Sequence, residues 1–167
     1  MVATPPCPVH VVGKRIVNAS GRAIYTDPGY QAITHQIRCS GRSVWVMFHG
    51  GAAATQEAYV LVRSDDGGRT FRLVSAESYF GVKAPHEFDS DSGPWTIVGA
   101  NAGYFVGYCP ACGRGTVSLW VTHDGGRTFR RFAVSALLGD WATLRGIRVS
   151  GDVVAIDAGM KTATVHA

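Results

Sequence analysis

The four cysteines could take part in chemistry, because thiols are reactive and two of them are closely spaced. Cys109 and Cys112 form a C-x-x-C pair, a spacing found in redox-active disulfides and in zinc sites. A redox centre requires the pair to open a helix after a strand, whereas this pair lies between two strand-like runs. A zinc site requires Cys7 and Cys39 to converge on the pair, although they form no second C-x-x-C. We favour a disulfide or two free thiols at a loop tip, and the other two interpretations remain open.

The densest acidic stretch could hold a cation. Asp89-x-Asp91-x-Gly93 is part of a calcium-loop pattern, in which alternating carboxylates supply oxygen ligands. The bidentate glutamate that completes such a loop is not found at the expected spacing downstream. The alternative is a solvated turn before the next strand, in which the aspartates accept backbone hydrogen bonds. We favour the turn, and therefore predict neither a metal site nor a cofactor.

Two further carboxylates lie in copies of one octapeptide. Residues 64–71 read SDDGGRTF and residues 122–129 read THDGGRTF, with Asp66 and Asp124 58 residues apart. Asp-Gly-Gly indicates a hairpin turn, because glycine reaches positive φ without a Cβ clash. The aspartate can accept backbone N–H bonds across the turn, so we predict a structural role for both carboxylates. The predicted turn residues are Ser64, Asp66, Gly68, Thr70 and Phe71 in the first copy, and Thr122, Asp124, Gly126, Thr128 and Phe129 in the second.

This octapeptide resembles the Asp-box, also called the BNR repeat, of sialidases, other glycoside hydrolases, sortilin-type receptors and photosystem II assembly factors. In those families the motif joins the third and fourth strands of a β-propeller blade, on the outside and away from the active centre. The resemblance therefore implies an all-β fold of propeller-type blades, each a four-stranded antiparallel meander. It implies little about biochemical function.

The elements around the octapeptides fit this expectation. Apolar and polar residues alternate before each turn, which is typical of strands, and each repeat has about the length of a propeller blade. We predict a single domain with about three to three and a half blades. Its predicted parts are N-terminal strands at 9–27, repeats at 28–78 and 79–135, and a partial repeat at 136–167. More local predictions are strands at 9–17 and 22–26, a small-residue loop at 49–56, a polar connector at 79–94 and a weak helix candidate at 135–144.

Composition narrows the class of partner and the compartment. The net charge of +4 is modest and the arginines are dispersed, so we do not expect a nucleic-acid partner. No apolar run has the ~18–20 residues of a membrane-spanning helix, and no signal peptide is visible at the N-terminus. Disulfides would place the protein outside the cytoplasm, in the extracellular space or the periplasm.

Two functions from different classes follow from the resemblance. The one we favour is a non-catalytic Asp-box propeller module that binds a protein or a glycan. The alternative is a fragment of a sialidase-like glycoside hydrolase, which would use an arginine cluster, a tyrosine–glutamate pair and an aspartate. Arg38 and Arg148 occupy equivalent repeat positions, which favours a structural role for them, and spacing alone identifies no tyrosine–glutamate pair.

The number of repeats determines whether the blades can close into a propeller ring. Closed propellers have at least four blades, and this chain supplies two complete repeats with partial units on both sides. The N-terminal strands could complete the last unit and close a ring. We expect instead an open arc or part of a longer propeller, with unpaired strand edges that favour self-association.

Overall fold

The chain forms four antiparallel sheets, which confirms the all-β class and the blade-like meanders. The computed structural model describes residues 6–29, 32–54, 56–109, 116–134 and 144–167. Neighbours in each sheet are neighbours in the chain, so every sheet is a meander. The strands are β1 (Val9–Val12), β2 (Arg15–Asn18) and β3 (Ala23–Thr26) in the first sheet; β4 (Thr34–Ser40), β5 (Ser43–Ala53), β6 (Gln56–Ser64) and β7 (Arg72–Ala76) in the second; β8 (Asp91–Val98), β9 (Ala102–Cys109), β10 (Thr116–Thr122) and β11 (Arg130–Ala133) in the third; and β12 (Leu144–Ser150), β13 (Val153–Ala158) and β14 (Lys161–His166) in the fourth.

The strands of the second sheet are buried on both faces because the sheet packs between the first and the third sheets. Successive side chains of a strand point to opposite faces, so one strand can serve two cores. In β6, Val60 and Val62 pack towards the first sheet, whereas Tyr59 and Leu61 pack towards the third. The continuous apolar run therefore indicates a sheet with neighbours on both faces rather than a loss of alternation.

Three apolar cores join the sheets in chain order. One joins the first sheet to the second, the next joins the second to the third, and the last joins the third to the fourth. The middle core is rich in aromatic rings, among which Trp95 stacks on Phe105 with ring centroids 5.5 Å apart. Offset and edge contacts of this kind stabilise a core beyond the burial of their area.

The fourth sheet, β12 to β14, lies within the partial repeat predicted at 136–167, and its two faces differ. Val154, Ile156 and Ala163 face the third sheet and are buried. On the other face, Asp157 accepts hydrogen bonds from Arg148 at 2.9 Å and from the hydroxyl of Thr162 at 3.0 Å. This outer face is therefore polar.

The prediction of one N-terminal strand at 9–17 was wrong. Gly13 has a φ of 58° and, with Lys14, forms a turn that divides the run into β1 and β2. The alternation of apolar residues continues through the turn, which conceals the break. These strands pair with each other and with β3 in a sheet of their own, so they do not complete the fourth sheet.

Other local predictions were also corrected. The loop expected at 49–56 is mostly strand, because β5 and β6 form a long hairpin with a bulge between His49 and Ala52. The connector predicted at 79–94 already contains the start of β8 at Asp91, and a short 3-10 turn, Ser78–Phe80, precedes it. Of the helix candidate at 135–144, residues 135–143 lie outside the described residues, and Leu144 begins β12.

A disulfide joins the N-terminal lead-in to the second sheet. Cys7 and Cys39 are bonded, with their Cα atoms 5.7 Å apart. This pairing rules out the zinc interpretation, which needed both thiolates near the C-x-x-C pair. Cys109 is also a disulfide cysteine, and Cys112 lies outside the described residues.

None of the helices in the described part of the chain has the length and apolarity needed to cross a membrane.

Candidate functional site

The first octapeptide turn uses the whole carboxylate of Asp66. Oδ1 accepts bonds from the Ser64 hydroxyl at 2.7 Å and from the backbone N–H groups of Arg69 and Thr70 at 2.9 and 3.0 Å. Oδ2 accepts the Thr70 hydroxyl at 2.7 Å, and the Ser64 hydroxyl oxygen accepts the Gly68 N–H at 2.8 Å. Hydrogen bonds to the charged form, above all from Thr70, hold the pKa of Asp66 well below its usual range.

The second octapeptide turn repeats the network around Asp124. Its Oδ1 accepts the Thr122 hydroxyl at 2.8 Å and the N–H groups of Arg127 and Thr128 at 3.0 Å each. Its Oδ2 accepts the Thr128 hydroxyl at 2.6 Å, while Thr122 accepts the Gly126 N–H at 2.8 Å. Both carboxylates are thus held by their own turns, which lie between β6 and β7 and between β10 and β11.

The last residue of each octapeptide packs into a core between sheets. Phe71 lies 6.1 Å from Tyr25 between ring centroids and joins the core of the first and second sheets. Phe129 lies 5.0 Å from Phe88 and joins the core of the second and third sheets. The octapeptides therefore connect neighbouring sheets as well as neighbouring strands.

The second glycine of each octapeptide also contacts the preceding sheet. A Cβ at Gly68 would lie 2.5 Å from Val9, and a Cβ at Gly126 would lie 2.8 Å from Val74 and 3.3 Å from Trp45. Both glycines have positive φ, at 83° and 79°. Each position thus requires glycine for its backbone conformation and for the close approach of the neighbouring sheet.

A polar groove lies where the first strands of three sheets meet. Two adjoining cavities of about 350 and 340 Å³ run along β4, β8 and β12, and they share Gln36, Pro94 and Arg145. We call this the first-strand groove. Its polar lining residues are Gln36, Arg38, His49, Ser92, Thr96, Tyr108 and Arg145.

His49 stands at one end of the groove between two polar neighbours. Its Nδ1 lies 3.3 Å from Oε1 of Glu57 and 3.2 Å from the hydroxyl oxygen of Ser92. A serine–histidine–carboxylate relay needs the hydroxyl on one ring nitrogen and the carboxylate on the other. Both contacts here converge on Nδ1, so this group is a hydrogen-bonding cluster and not a relay.

Arg38 is held in place at the other end of the groove. Its guanidinium lies 4.7 Å from the centroid of the Trp95 ring, and its Nε donates to the Trp95 carbonyl oxygen at 3.3 Å. Burial lowers the pKa of Arg38, which nevertheless stays charged. Arg145, on β12, is exposed beside the same cavity.

The two aspartates of the calcium-like pattern do not share a site. Asp89 accepts bonds from Arg131 at 3.0 Å and from the indole of Trp120 at 3.3 Å. Asp91 is buried behind the groove, and burial raises its pKa to about 6. In the described residues no group of three or more His, Cys, Asp or Glu side chains could hold a metal ion.

Sequence reasoning did not find the groove, although a signal existed. Gly41, Gly99 and Gly151 end the first strands of three sheets with φ of 58°, 62° and 61°. Gln36, Pro94 and Gly146 each precede one of these glycines by five positions, and all three line the groove. Aligning the repeats on their turn glycines would have placed these residues together.

Comparison of the chain with known protein families, with curated proteins and with solved structures gives no match. A function for this chain is therefore inferred from the geometry of the first-strand groove and of the octapeptide turns.

Proposed function

We propose that this chain is a non-catalytic Asp-box-type binding module that holds a protein or glycan ligand in the first-strand groove. The observation that carries the proposal is the meeting of β4, β8 and β12 around two adjoining polar cavities. Ligand sites are typically concave, and cavities of this size can hold a compact group. The lining supplies amide, hydroxyl, imidazole and guanidinium groups, among which Arg38, His49 and Ser92 are held by hydrogen bonds.

The octapeptide turns support the type of module. Each joins a third strand to a fourth, which is the place of the Asp-box in propeller blades. Their aspartates are fully used by internal hydrogen bonds, as expected of a structural motif rather than of catalytic groups. The disulfide between Cys7 and Cys39 supports a place outside the cytoplasm, where such bonds persist.

The alternative, a sialidase-like hydrolase fragment, needs a tyrosine made nucleophilic by a nearby glutamate. Tyr108 is the tyrosine of the groove, and Glu57 and Asp91 are close enough to affect it. Burial, with the negative charges of Asp91 and Glu57, raises the pKa of Tyr108 to about 12. A phenol with a raised pKa is harder to ionise, which is unfavourable for a tyrosine nucleophile, and we therefore prefer the binding module.

A glycan array and a protein-capture screen test the proposal, together with a hydrolysis assay on a fluorogenic sialoside. Gln36→Trp would fill the space shared by both cavities from an exposed position. Thr164→Trp adds the same ring at an exposed site on β14 and serves as the control. We expect ligand binding without hydrolysis, lost in Gln36→Trp and kept in Thr164→Trp. Turnover of the sialoside, or binding that Gln36→Trp leaves intact, would contradict the proposal.

A further inference from the structure

The polar side chains that line the first-strand groove are neutral hydrogen-bonding groups and cations. Its polar members are an amide, two hydroxyls, a phenol, an imidazole and two guanidinium groups, and the described lining residues include no aspartate or glutamate. The two nearest carboxylates, Glu57 and Asp91, lie at the end of the groove formed by His49 and Tyr108: Glu57 contacts His49, and Asp91 is buried. A ligand at the other end of the groove meets the positive charges and N–H donors of Arg38 and Arg145.

Arg38 is pre-organised for an anion. Stacking on Trp95 and the bond from Nε to the Trp95 carbonyl fix the plane of the guanidinium. That bond uses Nε and neither of the two terminal nitrogens, whose planar pair of N–H groups matches the two oxygens of an oxyanion. Fixing the side chain in advance reduces the entropy lost when a ligand binds.

Arg145 and Gln36 extend the same surface across both cavities. Each lines both of them, so a group placed between the cavities can reach both side chains. At the opposite end, Nδ1 of His49 lies 3.3 Å from Oε1 of Glu57. The positive character of the groove comes from Arg38 and Arg145 and therefore does not depend on a single side chain.

We propose that the first-strand groove binds an oxyanion of a compact ligand, a carboxylate, sulfate or phosphate group, through Arg145, Arg38 and Gln36. This inference rests on the proposed binding function and specifies the chemistry of its ligand. The shared feature is a negative group with two or more oxygens, so the sources are separated by experiment. Charge-assisted hydrogen bonds from arginine are about twice as strong as neutral ones, and they would dominate the affinity.

A matched set of sugars provides the test. Glucose is the neutral reference, and glucuronate, glucose 6-sulfate and glucose 6-phosphate each add one type of oxyanion to the same ring. Calorimetry or chemical-shift titration of the full chain measures their affinities at low salt. We expect at least one anionic sugar to bind about tenfold or more tightly than glucose, and the identity of that sugar assigns the source of the oxyanion.

Variants distinguish a site from general attraction by a basic protein. Arg145→Gln keeps hydrogen-bonding groups but removes the charge at an exposed position, so folding should be unaffected. Arg130→Gln removes the same charge from exposed β11, where Arg130 lies over the Phe132 ring. We expect about a tenfold loss of affinity in Arg145→Gln and less than a twofold loss in Arg130→Gln. Thermal melts should show that both variants are folded.

Several outcomes would overturn the inference. Equal affinity for glucose and for all three anionic sugars, or no binding of any of them, would exclude an oxyanion site. Equal losses in Arg145→Gln and Arg130→Gln would indicate attraction by net charge alone. If a neutral glycan or a protein nevertheless binds in a manner that Gln36→Trp abolishes, the proposed binding function stands and only the oxyanion specificity is wrong.

Discussion

The guanidinium of Arg63 occupies the space in which a side chain at Gly125 would begin: a Cβ at Gly125 would lie 1.8 Å from Nη1 of Arg63. Arg63 belongs to β6, and Gly125 to the turn after β10, so the contact joins the second sheet to the third. The same guanidinium lies 4.6 Å from the Trp45 ring centroid and donates to Oδ1 of Asn101 at 2.9 Å. One arginine thus fixes how the second octapeptide turn sits on its neighbouring sheet.

Gly125→Ala should destabilise the protein more than Gly67→Ala. The two glycines hold the same place in the two turns, with φ of 74° and 78°, so both substitutions incur the left-handed strain of about 1–2 kcal/mol. A Cβ at Gly67 meets nothing within 4 Å, whereas a Cβ at Gly125 displaces Arg63. We expect Gly125→Ala to cost about 1–3 kcal/mol more in the free energy of unfolding, as measured by urea denaturation. Equal costs would mean that Arg63 moves aside freely.

Asp66→Ala and Asp124→Ala should each lower stability by about 1–3 kcal/mol, because several donors in each turn lose a charged acceptor. Ligand binding should persist, since both turns lie apart from the residues of the first-strand groove. Asp152→Ala is the control: Asp152 is exposed and pairs with His166 at 3.5 Å, so its loss should have little effect. Unchanged melting temperatures with lost binding would contradict a structural role.

The low pKa values of Asp66 and Asp124 predict that the free energy of unfolding decreases in acid. Their pKa values are lower in the folded state than in the unfolded chain, so their stabilisation is fully present above the unfolded value of about 4. It is lost as the pH falls below that value. The difference in stability between wild type and Asp66→Ala should therefore shrink below about pH 4, in denaturant unfolding followed as a function of pH.

The raised pKa of Glu77 predicts that the free energy of unfolding decreases as the pH rises. Burial, with the charge of Glu87 and the hydrogen bond shared with it, raises the pKa of Glu77 to about 7. The folded state therefore holds this proton more tightly, and the resulting stability is complete below about pH 4.5 and lost as the pH rises through 7. Glu77→Gln should leave stability at pH 4.5 nearly unchanged and raise it at pH 8 by on the order of 1–3 kcal/mol. The control, Asp152→Asn at an exposed site, should show no such gain at pH 8.

The disulfide between Cys7 and Cys39 should stabilise the junction of the first two sheets. It closes a loop with a sequence separation of 32, for which chain entropy predicts a contribution of about 3–4 kcal/mol. Replacing both residues by serine should lower the midpoint of urea unfolding accordingly. The matched change, Cys109→Ser with Cys112→Ser, should leave a β-type circular dichroism spectrum, because only two residues separate these cysteines in the sequence and a bond between them would close only a short loop. Equal losses in the two variants would contradict this distinction.

Self-association is expected through the strand edges that the meanders leave open. Among the described residues, the outer edges of β11 and β14 have no strand partner, whereas β7 forms a bridge from Ser75 to His86; an unpaired edge can accept a strand from another chain. Light scattering after size-exclusion chromatography should show a concentration-dependent increase in mass in the micromolar range. A stable monomer over that range would show that these edges are protected.

Local patterns were sufficient to predict the all-β class and the strands that flank the octapeptides. Period-two alternation together with Asp-Gly-Gly specifies a strand and its turn from neighbours in sequence alone. The turn at Gly13 was missed because the alternation continues through it, and the strand character of 49–53 was missed because its small residues depend on pairing with β6. The first-strand groove and the role of Arg63 arise from residues more than thirty positions apart, which no local pattern reports.

The number of cores to which each sheet contributes also determines how easily that sheet should unfold locally. The second and third sheets each contribute to two cores, whereas the first and fourth sheets each contribute to one. Opening an outer sheet breaks one layer of contacts, while opening an inner sheet breaks two. Amide hydrogen exchange should therefore be slowest in β5, β6 and β9, and faster in β1–β3 and β12–β14. The strands that line the first-strand groove should therefore differ in their protection from exchange, with β12 less protected than β4 and β8.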